Sequence, residues 1–249
     1  MHFSLLPLAR PAKVVVPLLG AALLLSSCSS TSSDEPIQPE VASTGYSVEH
    51  AMGTTEIPET PTRVVVIDSP HLDALLALGI TPVGATESGS ENGFPTYLAD
   101  ELKGTESVGL TSEPNLEKIA ALDPDLIIGA KVRHEAIYDQ LSDIAPTVMS
   151  EGSGTNWNEQ AEITAAAVNK SDEMDKLISD LDTRATELGE EIGADGQTAS
   201  MVRFRTDNFR LYGPETFSGS VLEQVGFDLG GSDPRMVDTE DLIRKQISG

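Results

Sequence analysis

The chain has 249 residues, with 40 acidic against 16 basic side chains and a formal charge of −24 at pH 7. That balance argues strongly against nucleic-acid binding, which needs a basic face to displace counterions from phosphates. A hydrophobic share of 39%, arranged periodically, argues against a disordered chain, and a single Cys excludes an intrachain disulfide. The length suits one two-lobed domain or two small ones. Aromatic residues at 4% supply little for a sugar-stacking platform.

The first residues carry Arg10 and Lys13 and no acid, and Val14 to Leu25 form an apolar run broken only by Pro17 and Gly20. A basic start before a short apolar run is the pattern of an export signal, and twelve residues fall short of the about 20 needed to cross hydrocarbon. The run closes on Leu25-Ser26-Ser27-Cys28, which resembles a bacterial lipobox, in which the Cys is lipidated and becomes the first mature residue. The alternative is a plain secretory signal with an incidental buried Cys. Residues 1–27 are thus expected to be a lipoprotein signal peptide. Residues 28–45, rich in Ser, Thr, Pro and acid, are expected to be a flexible tether. Both place the folded part on the outer face of the cell membrane, held by a lipid.

From Pro61 short apolar runs alternate with helical periods. Arg63 to Ile67 reads as a buried strand, Pro70 to Leu78 as a helix stopped by Gly79, and Thr81 to Ala85 as a second strand. A helix over Asn115–Leu122, a strand over Asp125–Gly129, a helix over His134–Ser142 and a strand over Pro146–Met149 follow. This alternation predicts an α/β lobe over 46–168 with a mostly parallel sheet. Residues 156–168 read as a helix. A long helix follows with Ser171 as N-cap, an apolar stripe through Met174, Leu177, Ile178, Leu181, Ala185, Leu188 and Ile192, and Gly193 as its stop. Its Asp175, Asp180, Glu187 and Glu190 are read as solvated charge. The segment 169–194 is the expected connector. A second α/β unit over 195–249 begins with strands at Thr198–Phe204 and Phe209–Tyr212 and a helix over Glu215–Val225.

The sequence has no nucleophile elbow and no phosphate-binding P-loop. The scattered His50, His71 and His134 lack the spacing of a zinc site, and His71 reads better as a helix-start residue than as a ligand. No catalytic residue, cofactor or metal is expected. An exported α/β hydrolase would need a nucleophile with a base, and none is supplied. In so acidic a protein the segment Met201–Arg210 stands out, with Arg203, Arg205 and Arg210 against one Asp. Strand alternation places Arg203 and Arg205 on one face, with Val202 and Phe204 on the other, and Arg210 and Tyr212 alternate likewise. Lys131 and Arg133 follow directly on the strand ending at Gly129, and ligands of open α/β sheets bind beyond the carboxyl ends of strands. Arg suits carboxylate or hydroxamate oxygens because its planar fork makes two bonds and keeps its charge. The competing reading is that these cations balance surface acid. Trp157 either lines the cleft or anchors a helix start.

Over Gly53–Phe227 the sequence resembles the iron-siderophore substrate-binding lipoproteins of bacterial ABC importers. The likeness rests on Pro61-Thr-Arg-Val-Val-Val, Leu76-Ala-Leu-Gly-Ile-Thr-Pro-Val-Gly84, Pro114-Asn-Leu-Glu-Lys-Ile, Pro124-Asp-Leu-Ile, Lys131-Val-Arg-His-Glu, Tyr138-Asp-Gln-Leu-Ser, Ile144-Ala-Pro-Thr-Val and Tyr212-Gly-Pro-Glu-Thr-Phe-Ser-Gly219. Lys-Val-Arg-His-Glu and Val-Arg-Phe look most like the ferric-hydroxamate members. The resemblance implies two Rossmann-like α/β lobes joined by one long rigid helix, ligand contacts at Arg133, Trp157, Arg203, Arg210 and Tyr212, and a permease-docking acid at Glu117. It implies a monomer that captures a ferric siderophore and hands it to ABC permease subunits. The alternatives are another bulky chelate, haem or cobalamin, or an inactive fragment. Residues 195–249 number 55 against 105 for 45–149. The resemblance implies lobes of similar size, with a second docking acid just beyond Ser248. The second lobe is therefore expected to be incomplete, truncated at its C-terminal end.

Overall fold

The structure is a computed structural model that describes residues 45–88, 93–154, 156–204 and 209–229. The expected signal peptide over 1–27, the lipidation site Cys28, all of the tether but Gly45, and Arg205 lie outside the described residues. The described part opens with a hairpin, β1 (Tyr46–His50) and β2 (Gly53–Ile57). Then come β3 (Val64–Val66), α1 (Ser69–Ala77), β4 (Gly84–Glu87), β5 (Glu106–Leu110), β6 (Glu113–Pro114) and α2 (Leu116–Ala121). Next are β7 (Leu126–Ala130), α3 (Lys131–His134), α4 (Tyr138–Ser142), β8 (Thr147–Ser150), α5 (Trp157–Ala167) and α6 (Ser171–Ile192). Last are β9 (Met201–Phe204), β10 (Phe209–Tyr212) and α7 (Phe217–Val225).

Six strands form one sheet in the order β6-β5-β4-β3-β7-β8, parallel except for the short antiparallel β6. β3, β7 and β8 are buried along their whole length, which is why they read as continuous β-branched or apolar runs and not as alternation. Two apolar clusters cover the two faces. One gathers Val64, Val66, Leu126 and Ile128 with Leu72 and Leu75 of α1; the other gathers Val65, Ile67 and Ile127 with Ile119 and Leu141. Gly129 sits where the faces leave little room. A Cβ there would meet Ile67 Cγ1 at 2.6 Å and His134 Nδ1 at 3.1 Å.

Several boundaries differ from the sequence-based expectation. The strand expected at Thr81–Ala85 pairs only from Gly84, because Pro82 has no N–H to give to a ladder. The helix expected over His134–Ser142 starts at Lys131 and runs as short turns, α3, a 3-10 turn over Glu135–Ile137, and α4. His134 causes the break. Its buried ring is tied to the Thr111 carbonyl at 2.9 Å and to the Ala130 N–H at 3.3 Å, which draws the backbone out of helical φ/ψ. The β1–β2 hairpin lies within the expected lobe but ahead of the first element read from the sequence, and closes on β8, where Thr55 Oγ1 donates to the Thr147 carbonyl and Ala51 N–H to that of Met149, both at 2.9 Å.

α6 runs the expected 22 residues and ends on Gly193 at φ 67, but Ser171 is its first helical residue and not its cap. The apolar stripe divides between two partners. Met174 and Ile178 pack on Ala74, Ala161 and Ala165, and Ala185 packs with Val221 and Val225 of α7. Leu188 and Ile192 remain 46% and 54% exposed. Asp175, Asp180, Glu187 and Glu190 are exposed, as solvated charge should be. The unit after α6 carries the two strands and the helix expected there. Among the described residues it holds an antiparallel pair, β9–β10, one helix, and a lone parallel bridge between Thr198 and Asp228.

The α6–α7 contact is set by Gly189, whose missing side chain lets the Val225 carbonyl approach the α6 backbone; a Cβ at 189 would run into that oxygen. At an ordinary helix position Gly→Ala stabilises by about 0.5–1 kcal/mol. Here the sign inverts. Gly189→Ala should destabilise by about 1–3 kcal/mol, the usual cost of overpacking, measured as a lower urea midpoint with unchanged slope.

Candidate functional site

In an open parallel sheet the crossovers on either side of the point where strand order reverses run in opposite directions and leave a crevice at the carboxyl ends. Here the order reverses between β3 and β7. Asp68 follows β3 and Arg133 follows β7 within α3. Their side chains meet across this crevice, with Arg133 Nε 3.4 Å from Asp68 Oδ2. Asp68 has a second task as N-cap of α1, its Oδ1 accepting from Ser69 N–H at 3.0 Å. The carboxylate is 1% exposed and the Arg133 side chain 47%. Oδ2 is in ion-pair reach of Arg133 but makes no aligned hydrogen bond, so Arg133 is neutralised in place while its fork stays open to solvent. Beside it Lys131 Nζ pairs with Glu151 Oε2 at 3.1 Å. Sequence reasoning missed Asp68. The legible signal was an Asp directly before Ser-Pro at a strand-to-helix junction, an N-cap signature.

Trp157 anchors a helix start, one of the two roles offered for it. It is the first residue of α5 and it lines a groove of 680 Å³ bounded by α1, α5 and α6. Its indole N–H donates to Ser220 Oγ at 2.8 Å, and its ring meets Phe217 edge-on at 5.1 Å and 83°. With the Asn156 N–H donating to the Glu215 carbonyl at 3.1 Å, these contacts join the start of α5 to the start of α7. Asn156 holds a left-handed φ of 54, a conformation Asn tolerates better than most residues. Across the groove the Tyr97 hydroxyl donates to Asp73 Oδ1 at 3.0 Å. Partial burial raises the Asp73 carboxyl, and burial with the Asp73 contact pushes Tyr97 to about 12. The lining is otherwise mostly apolar and includes none of the predicted arginines.

Arg203, Arg210 and Tyr212 are brought together elsewhere. Arg203 stands directly opposite Arg210 in the β9–β10 register, and Tyr212 opposite Met201, so all four share one face of the hairpin. Val202, Phe204, Phe209 and Leu211 share the other, with the Phe204 and Phe209 rings 6.3 Å apart. Glu117 is exposed in the first turn of α2, whose cap is Asn115, its Oδ1 accepting from Lys118 N–H at 2.9 Å.

The three described histidines are structural. His71 is fully buried, with Nδ1 2.8 Å from Thr164 Oγ1 and Nε2 3.0 Å from Ser150 Oγ, so it ties α1 to α5 and β8. His50 accepts at Nδ1 from the Met52 and Met149 N–H groups and donates from Nε2 to Thr55 Oγ1. His134 is fixed as described above. No group of three or more His, Cys, Asp or Glu among the described residues is placed to hold a metal ion. No helix among them is long and apolar enough to cross a membrane.

Residues 64–229, two thirds of the sequence, match the family described as periplasmic binding protein. The chain belongs to that family. It is 45% identical over 84% of its length to the probable siderophore-binding lipoprotein YfiY of Bacillus subtilis, covering 65% of that protein. It is 33% identical, again over 84%, to the Fe(3+)-citrate-binding protein YfmC of the same organism, covering 68%. Among solved structures, Staphylococcus aureus SirA complexed with staphyloferrin B superposes with a TM-score of 0.68 at 35% identity, over 82% of this protein and 67% of that one. The sequence thus spans about two thirds of the length of these binding proteins, and its fold is theirs.

Burial lowers the His71 pKa well below 6.5, with the nearby Asp68 carboxylate opposing only in part. The unfolded protein therefore takes up a proton near pH 6.5 that the folded protein refuses. The resulting stability is present above that pH and is lost as pH falls, at up to about 1.4 kcal/mol per pH unit until the folded pKa is reached. Urea unfolding should show a loss of about 1.5 kcal/mol from this residue between pH 6.5 and 5. His71→Gln, less stable at neutral pH, should show a slope shallower by that amount; identical slopes would mean that His71 is charged in the fold.

Proposed function

We propose that the protein is the extracytoplasmic binding component of an ABC importer, capturing a ferric siderophore and delivering it to the permease without chemical change. The observation that carries this reading is the crevice at the strand-order reversal, where the Asp68–Arg133 pair holds a half-exposed guanidinium beyond the carboxyl ends of β3 and β7. The roles for which the relatives are named, siderophore binding and Fe(3+)-citrate binding, agree with a bulky anionic or oxygen-rich cargo. Arg133 supplies the first-lobe contact, Arg203, Arg210 and Tyr212 the contacts from the unit after α6, and Trp157 an aromatic contact. The iron arrives already chelated, so the protein recognises the outer surface of the complex. Hydrogen bonds from a guanidinium to such oxygens are charge-assisted and about twice as strong as neutral ones.

Docking falls to Glu117, which makes no ion pair or side-chain hydrogen bond among the described residues and stands free to meet a permease arginine. In this reading Cys28 carries the lipid that holds the protein at the outer face of the membrane as a monomer.

Titrating the full-length protein with ferric chelates, haem and cobalamin while following Trp157 fluorescence tests the cargo. A ferric siderophore should bind at least about tenfold more tightly than haem or cobalamin, a difference of about 1.4 kcal/mol. Tighter binding of either competitor would replace the reading. In cells that depend on the importer, Glu117→Ala should abolish iron uptake while solution affinity for the chelate stays within about twofold of wild type. Uptake at the wild-type rate would remove Glu117 from docking.

A further inference from the structure

We propose that the groove bounded by α1, α5 and α6 is a further binding site, for a dissolved amphipathic organic cation. Asp73 and the aromatic rings receive its ammonium head, and the apolar stripe of α6 receives the chain attached to it. The proposal does not rest on the cargo reading, since the groove is lined by Trp157 but by neither Arg133, Arg203, Arg210 nor Tyr212.

In a protein only 4% aromatic, the single Trp, a Tyr and a Phe line this one groove. The Trp157 and Phe217 rings stand 5.1 Å apart at 83° and so form two walls of a corner. Aromatic faces attract a cation that comes within about 6 Å of the ring centroid, Trp most strongly. Asp73 is the one carboxylate in the lining, and no Lys, Arg or His accompanies it there. It forms no ion pair among the described residues. Its Oδ1 accepts from the Tyr97 hydroxyl at 3.0 Å, which fixes the carboxylate but brings no positive charge. Partial burial, opposed only in part by that bond, raises the Asp73 carboxyl. A carboxylate in that position has given up water and gained no countercharge among its described neighbours.

Below the rings the groove is apolar. Met174, Leu177, Ile178 and Leu181 occupy two turns of α6, about 10 Å of helix. Leu177 is 38% exposed and Phe217 52%, surface that an alkyl chain would take from water. The volume of 680 Å³ lies within the range of small-molecule sites. Charge then decides between ligand classes. An anion would meet Asp73 and the field of a protein at −24. A neutral apolar molecule would complete the dehydration of Asp73 and offer it no partner. A bare divalent ion would find one carboxylate where it needs several oxygen ligands. An ammonium head on an apolar chain answers to the carboxylate, the rings and the stripe together.

Isothermal titration of the full-length protein with decyltrimethylammonium, below its micelle concentration, tests the site, and fluorescence of the single Trp reports occupancy. The cation should bind at least about tenfold more tightly than decyl maltoside, which has the chain without the charge, or tetramethylammonium, which has the charge without the chain. Asp73→Asn should weaken the cation at least about fivefold and leave decyl maltoside within about twofold. Glu187→Gln removes the same charge from an exposed position on α6 and should change the cation less than about twofold, which separates Asp73 from the general attraction of an acidic protein. Leu177→Lys, which carries its own ammonium on an apolar stem, should weaken the cation at least about tenfold. Urea midpoints should show all variants folded. Equal affinity for the cation and decyl maltoside, equal losses in Asp73→Asn and Glu187→Gln, or no binding of the cation would each overturn the proposal and leave the ferric-chelate reading untouched.

Discussion

The reversal of strand order between β3 and β7 is the constraint on which the rest of the site depends. Connections from β3 to β4 and from β7 to β8 lead away from each other, so nothing in the sheet covers the carboxyl ends of the two central strands. The backbone leaves β3 through Asp68 and leaves β7 through Lys131-Val-Arg133, and the pairing of Asp68 with Arg133 ties the two exits together. That pairing needs the strands in close register. Gly129 provides it, because its absent side chain leaves the space that Ile67 and the His134 ring occupy. Asp68 then holds the N-terminus of α1 with one oxygen and faces the guanidinium with the other.

Electrostatics is arranged on two scales. The whole molecule is strongly negative, which favours solubility and works against any diffuse attraction for anions. Anion recognition therefore has to be local and short-ranged. The crevice cations are held by carboxylates that fix their position, whereas the hairpin cations face each other.

The long helix α6 gives this arrangement its stiffness. Its N-terminal half packs on small residues of α1 and α5, and its C-terminal half closes on α7 across Gly189. A second tie runs through Asn156, Trp157, Glu215, Phe217 and Ser220, so α7 is fixed to the first lobe by backbone, side-chain and ring contacts as well as through the helix. Trp157 thereby serves structure and groove together, and a change there would move both.

What the sequence by itself determined are the features that repeat over a few residues. The buried runs of β3, β7 and β8, the stripe of α6 and its stop at Gly193 all depend on near neighbours in sequence, so their period or residue type is visible directly. The β1–β2 hairpin and β5 escaped because their strands are short, partly polar and carry glycine, which blurs alternation. The His134–Ser142 boundary escaped because it is fixed by the Thr111 carbonyl, 23 residues away in sequence. The candidate site divides the same way. Arg133, Trp157, Arg203, Arg210 and Tyr212 stood out by residue type in an acidic protein. Only the tertiary structure decided that Arg133 answers to Asp68, that Trp157 reaches Ser220, and that Arg203 faces Arg210. The first two depend on packing between segments far apart in sequence and the third on cross-strand register, none of which leaves a periodic trace there.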